Sequence, residues 1–176
     1  MDYYRVMGLE PKLQLDPNEL QQIFYARSRE LHPDRFARAS KEAQAAALDE
    51  SSLLNDAYRA LRDPAARAEY FLKSKGLDIA TQGTKNVPAE LLEEVFELNM
   101  LLEELKEGGA GARPQVEQAR EQFAGLLEKA DNGMLALFAR YDAARDDQSL
   151  QELRQLLNRR RYITNLLRDI DGHLSN

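Results

Sequence analysis

The feature that most constrains this chain is an apolar period that runs from Val116 to Tyr141 without changing phase. Val116, Ala119, Phe123, Leu126, Ala130, Met134, Leu137 and Tyr141 recur at steps of three and four, which places them along one face of an α-helix. The period passes through Asp131-Asn132-Gly133, a turn signal by composition, and is not reset there. A turn would shift the phase. The segment therefore predicts one helix of about 30 residues, with Gly133 the place for any bend.

A helix of that length with a single apolar face needs other helices to cover it, and the sequence supplies two. Pro88 suits the first turn of a helix reaching about Glu107, with Leu91, Val95, Leu98, Leu102 and Leu105 as its inward row. Gly108-Gly109-Ala110-Gly111 ends it, and Arg113-Pro114 opens the long helix. Asp146-Asp147 marks the next turn, and Ser149-Leu150-Gln151-Glu152 reads as a capping box. Leu153, Leu156, Leu157, Arg160, Ile163, Leu167, Ile170 and Leu174 line the last helix. Short connections make residues 88–176 an antiparallel three-helix bundle.

The first 76 residues read as a separate set of shorter helices. A helical turn through Tyr3–Met7 stops at Gly8. Asp16-Pro17-Asn18-Glu19 starts a helix, with Asp16 as cap and Pro17 at the first position. Leu20, Phe24 and Leu31 share its inner stripe with Ile23 beside them, and Arg27 falls there too, its stem packing and its head reaching water. Pro33 ends this helix, because the residue before a proline avoids helical geometry. A loop over 33–39 leads to Ser40, which caps a helix with Ala43, Ala47, Leu54, Ala57, Tyr58 and Leu61 inward. Asp63-Pro64 starts a last helix that runs to Gly76. The expectation is all-α: an antiparallel helical hairpin with short helices in residues 1–76, a linker over 77–87, and the bundle.

Charge supports that division. Residues 1–76 carry 12 basic and 12 acidic side chains, whereas 77–176 carry 12 and 18, which accounts for the whole net charge of −6. That balance argues against a nucleic-acid binder. The chain has no cysteine and only His32 and His173, so thiol catalysis, disulfides and cysteine- or histidine-rich metal sites are excluded. No apolar run approaches the roughly 20 residues that span a bilayer, and Met1-Asp2-Tyr3-Tyr4-Arg5 does not look like a secretory signal. A soluble cytoplasmic protein with no cofactor and no membrane partner is expected.

His32-Pro33-Asp34 sits in the loop of the hairpin. Alone it reads as an ordinary helix stop, since proline fixes one backbone angle and aspartate bonds nearby amides. His32 and Asp34 as an acid–base pair have no nucleophile, phosphate loop or second histidine to work with, and no enzymatic activity is expected. The context is more informative: Asp2-Tyr3-Tyr4 and Gly8-Leu9 precede the tripeptide, and Asn55-Asp56-Ala57-Tyr58-Arg59-Ala60-Leu61-Arg62-Asp63-Pro64 follows it. Residues 1–75 resemble the J-domain family, co-chaperones that stimulate ATP hydrolysis by Hsp70-type chaperones. With Arg35-Phe36-Ala37, Arg67-Ala68-Glu69-Tyr70-Phe71-Leu72, Gly76-Leu77-Asp78 and the acidic helical second half, nearly the whole chain is similar to the HscB-type co-chaperones of iron–sulfur cluster biogenesis.

That resemblance implies two partners. His32, Pro33 and Asp34 would contact the ATPase domain and linker of an Hsp70-type chaperone, HscA or DnaK, with Arg29, Arg35 and Arg38 either steering the approach or forming a solvated face. Other J-domains carry further basic residues where Tyr25 and Ala26 stand here, a departure that favours a dedicated partner. The bundle would hold the cluster scaffold IscU. The first bundle helix carries a second apolar row, Leu92, Phe96 and Met100, rotated about 100° from the first and set among Glu93, Glu97, Glu103 and Glu104. From periodicity the row is a docking strip, a contact with the first half, or a wider core. The resemblance points to docking, with Leu92, Phe96, Glu97, Met100, Glu104 and Tyr162 at scaffold-contacting positions. Glu93 stands where an apolar residue is common, and Met100 where an acid is common. No metal is implied, because the cysteine-rich extension of some relatives has no counterpart in this sequence. The alternatives are a J-domain co-chaperone for a different client and a structural helical protein with an incidental His-Pro-Asp loop.

Overall fold

A computed structural model describes residues 2–79, 87–109 and 111–175; residues 80–86 of the expected linker and Ala110 lie outside them. Every regular element among the described residues is helical: α1 Tyr3–Met7, α2 Pro17–Glu30, α3 Lys41–Arg62, α4 Pro64–Ser74, α5 Leu92–Lys106, α6 Ala112–Ala144 and α7 Asp147–Leu174, with 3-10 turns at Pro33–Phe36 and Ala89–Leu91. By contact the chain divides into two compact units. The first is Met1–Gly76 with Phe138–Arg145, and the second is Leu77–Leu137 with Asp146–Asn176.

In the first unit the helix starts are those the caps dictate. Asp2 accepts from the amides of Tyr4 and Arg5, Asp16 from Asn18 and Glu19, Ser40 from Ala43, and Asp63 from Ala66. Gly8 closes α1 at φ 71°, a left-handed conformation that only glycine adopts without strain, and the Arg27 guanidinium lies against its open face. The expectation that the Arg27 head reaches water is corrected: the residue is exposed as a whole, but its guanidinium packs on Gly8. Helices α2 and α3 are antiparallel: Phe24 stacks on Tyr58 at 4.2 Å near one end, while Arg27 and Leu31 line one small cavity with Glu50, Leu53 and Leu54 nearer the other.

The core of this unit is Tyr4, Met7, Leu13, Leu54, Leu61, Phe71 and Leu72, and it is completed by Phe138 and Tyr141 from the last turns of α6. Tyr141 meets Phe71 edge-on at 5.3 Å. Arg67, only 5% exposed, donates to the carbonyls of Leu13 and Leu61 at 2.8 and 2.7 Å and lies over the Phe138 ring. Burial pulls its guanidinium below the ordinary value. Asp142 accepts from the backbone amides of Leu13 (3.0 Å) and Gln14 (2.7 Å), and Arg145 donates to the Pro11 carbonyl. The segment before α2 is thus fastened to the last turn of α6 and to Arg145 just after it by three bonds to its backbone.

The second unit is a helix bundle. Leu91, Val95, Leu98 and Leu102 of the first row pack with Val116, Ala119 and Phe123 of α6 and Ile163 and Ile170 of α7. Ion pairs Arg120–Asp171 and Arg160–Asp131, each 2.5 Å, and Arg159–Glu90 at 3.6 Å tie the helices at the surface. Gly133 lies inside α6, where a Cβ would stand 3.0 Å from Leu156 Cδ1, so the glycine permits close helix approach rather than a turn.

Three further local readings are corrected. Pro88 does not begin the α-helix; it precedes the 3-10 turn, and α5 starts at Leu92. The cap of α7 is Asp146, whose carboxylate accepts from the Ser149 amide and hydroxyl, so Ser149 sits buried in the first turn. In α6 the buried residue after Met134 is Phe138 rather than Leu137, which is half-buried; the tract that begins at Phe138 belongs to the first unit.

Candidate functional site

The turn between α2 and α3 is built by its own tripeptide. Pro33 forces His32 into extended geometry, φ −61° and ψ 133°, which stops α2. Its own fixed φ then starts the 3-10 turn Pro33–Phe36. His32 is the cap of that turn: its Nδ1 accepts from the Asp34 amide at 3.3 Å, and the Asp34 carboxylate lies 3.5 Å from the same nitrogen. The loop expected over 33–39 is therefore half an ordered turn, held by the proline and the histidine side chain.

His32, Pro33, Asp34, Arg29, Arg35 and Arg38 are all exposed. Arg29, Arg35 and Arg38 make no ion pair with other described residues. The turn brings these groups to one end of the hairpin, with His32 and Asp34 beside each other and the three arginines unpaired among the described residues. His32 and Asp34 face water, and among the described residues no group of three His, Asp or Glu is placed to hold a metal ion.

The second candidate surface lies on α5. Leu92, Phe96 and Met100 are 54%, 67% and 62% exposed. The reading in which they widen the core is thereby corrected: the core row of α5 is already complete, and these three lie off it. Phe96, Glu97, Met100 and Glu104 border an open groove of about 560 Å³ with Leu101, Glu103, Glu107 and, from α6, Gln115. Leu101 and Gln115 had no place in the sequence reading, since an apolar residue beside the core row and a lone glutamine carry no periodic signal. Leu92 and Tyr162 do not line the groove. Tyr162 is half-buried against the core of the bundle, and that burial raises its phenol above the ordinary value. Glu103 is held below the ordinary carboxylate range by its hydrogen bond to Lys106 at 2.7 Å.

Residues 2–70 match the DnaJ domain family. His32-Pro33-Asp34 stands in the turn of the helical hairpin within that matched tract. The fold of the chain over almost its entire length is that of HscB. It aligns with chaperone HscB from Vibrio cholerae at TM-score 0.68 and 24% identity, covering 98% of this chain and 96% of that one. It aligns with the human co-chaperone protein HscB at TM-score 0.61 and 24% identity, covering 97% and 81%. No helix among the described residues is long and apolar enough to cross a membrane.

Proposed function

We propose that this protein is a co-chaperone of iron–sulfur cluster assembly: it binds the scaffold protein IscU, delivers it to an Hsp70-type chaperone, HscA or DnaK, in the cytoplasm, and stimulates that chaperone's ATPase. The observation that carries the reading is the exposed, self-capped His32-Pro33-Asp34 turn within a tract that matches the DnaJ domain. A turn already fixed by proline and by a side-chain cap loses little entropy on docking. Arg29, Arg35 and Arg38 steer it to an acidic surface. The protein performs no chemistry itself; the ATP is hydrolysed by the partner.

The scaffold is held on α5. An exposed row of three large apolar side chains among glutamates fits a partner surface that is apolar at its centre and basic at its edge. Leu92, Phe96 and Met100 supply the apolar contact, Glu97 and Glu104 the polar rim, and Tyr162 a flanking aromatic. Carrying both surfaces on one chain raises the concentration of the scaffold near the chaperone.

The test is a single-turnover ATPase assay with an HscA-type and a DnaK-type chaperone. The wild-type protein accelerates hydrolysis by at least one of them. His32→Gln removes the acceleration while its circular dichroism stays that of the wild type, because the side chain is exposed and packs into no core. Equal stimulation by His32→Gln rules the turn out as the contact.

A further inference from the structure

Beside the His-Pro-Asp turn lies an open cleft of about 220 Å³, its apolar wall made chiefly by Leu31, Pro33, Phe36 and Leu48 and its polar part by Gln44 and Ser51. No charged side chain lines it. Leu48 is 67% exposed, more than any other leucine among the described residues that stand out as exposed. It lies one position off the buried Ala47, Leu54, Ala57 and Leu61 row of α3, so it contributes nothing to the core. An exposed leucine alone carries no meaning. One that forms the wall of a mostly apolar cleft next to a candidate contact does, and the volume suffices, since about 150 Å³ already accepts a ring the size of benzene. This cleft has room for one large apolar side chain.

Charge says what kind of chain would bring that side chain. The wall made by Phe36 and Ala37 belongs to the tract 35–41, which holds Arg35, Arg38 and Lys41 and no acidic residue. None of the three cations has an ion-pair partner among the described residues. Glu42, next along, serves the α3 start: its carboxylate is drawn below the ordinary range by its own backbone amide and by Ser40. The occupant that fits is apolar at its tip and acidic alongside.

We propose that this cleft is a second contact for the Hsp70-type partner of the turn, taking one apolar side chain from an acidic segment of that chaperone. The proposal rests on the function given above. Pro33 belongs to both surfaces, so a partner lying on the tripeptide is already at the mouth of the cleft.

The test uses the full chain in the same single-turnover assay, titrating wild type, Leu48→Glu, the double variant Arg38→Glu with Lys41→Glu, and His32→Gln. Leu48→Glu puts a carboxylate in the apolar wall at an exposed position that does not threaten folding. It is expected to raise the concentration giving half-maximal stimulation by about tenfold or more. The charge-reversed variant is expected to raise it as well and to flatten its dependence on salt. An unchanged half-maximal concentration for Leu48→Glu, with stimulation still lost in His32→Gln, overturns the cleft contact and leaves the co-chaperone reading standing. No stimulation by wild type of either chaperone overturns both. Sedimentation showing that wild type self-associates and Leu48→Glu does not assigns the cleft to a second copy of this chain, and that also overturns the proposal.

Discussion

Replacing Asp142 by alanine tests the least expected part of the fold, the fastening of the segment before α2 to the end of α6. The Asp142 carboxylate accepts from the amides of Leu13 at 3.0 Å and Gln14 at 2.7 Å, and its side chain is only 13% exposed. The two bonds are unequal in consequence. Leu13 is fully buried, so its amide is left without water or protein partner, at about 1–3 kcal/mol for an unsatisfied buried donor. Gln14 is exposed, so its amide recovers a water and only the net worth of one hydrogen bond is lost, about 1 kcal/mol. The ion pair with Arg145, at 4.0 Å and partly exposed, adds little. Alanine gains a few tenths of a kcal/mol in helix propensity over aspartate, which works the other way.

The expected loss is therefore about 3 kcal/mol, or roughly 6–12 °C in melting temperature for a chain of this size. Urea denaturation followed by circular dichroism measures it. Asp142→Asn, which keeps one acceptor and turns an amide donor toward the other N–H, should fall between wild type and Asp142→Ala. Glu128→Ala, on the exposed face of the same helix, is the control and should stay within about 0.5 kcal/mol. An Asp142→Ala protein as stable as that control would show that the carboxylate does not hold the segment and would remove the reasoning.

A fragment of residues 1–76 should lack a cooperative thermal transition. It loses the burial of Phe138 and Tyr141, about 2 kcal/mol each, and the Asp142 bonds, together comparable to the net stability of a small domain; a sharp melt with full helicity refutes this. Leu92→Ala with Phe96→Ala should weaken binding to purified IscU by at least about 2 kcal/mol in calorimetry without moving the melting temperature, since both side chains are exposed; unchanged affinity removes α5 as the docking surface. Stability should also fall in alkali through Tyr4. Burial raises its phenol well above the ordinary value near 10, so its contribution is complete below pH 10 and lost as pH climbs from there toward the folded value. The loss is about 1 kcal/mol by pH 11, and Tyr4→Phe, compared with wild type by urea melts between pH 8 and 11, should flatten the slope; equal slopes would exclude Tyr4 as the source.

What could be read in the sequence was what depends on near neighbours. Asp16-Pro17 and Asp63-Pro64 name their helix starts because the cap bonds to amides two or three residues away. The phase from Val116 to Tyr141 gives one helix, because a period needs no knowledge of what it faces. Where two cap formers stood close together, Asp146 and Ser149, local rules permitted either, and the geometry chose the aspartate because it reaches both the amide and the hydroxyl of the serine. The exposed row on α5 was visible as a row, but whether anything covered it was not, since a helical period is the same for a core face and a docking face.

The fastening at Asp142 shows why the remainder was hidden. Tyr141 and Phe138 continue the α6 pattern, so nothing in their spacing marks a change from one compact unit to the other. Asp142 is one aspartate among the many acids of the chain, and its two partners are backbone amides 129 and 128 residues away. Backbone amides have no residue type, so no side-chain pattern can announce them. The same holds for Arg67, which satisfies itself on two backbone carbonyls. A buried charge is readable when its partner is another charge at helical spacing; when the partner is main chain, only the fold reveals it. Leu48 failed to register for the opposite reason. It sits off the apolar phase of α3, where a leucine normally passes as harmless surface, and only the return of Phe36 and Pro33 beside it makes a cleft of that surface.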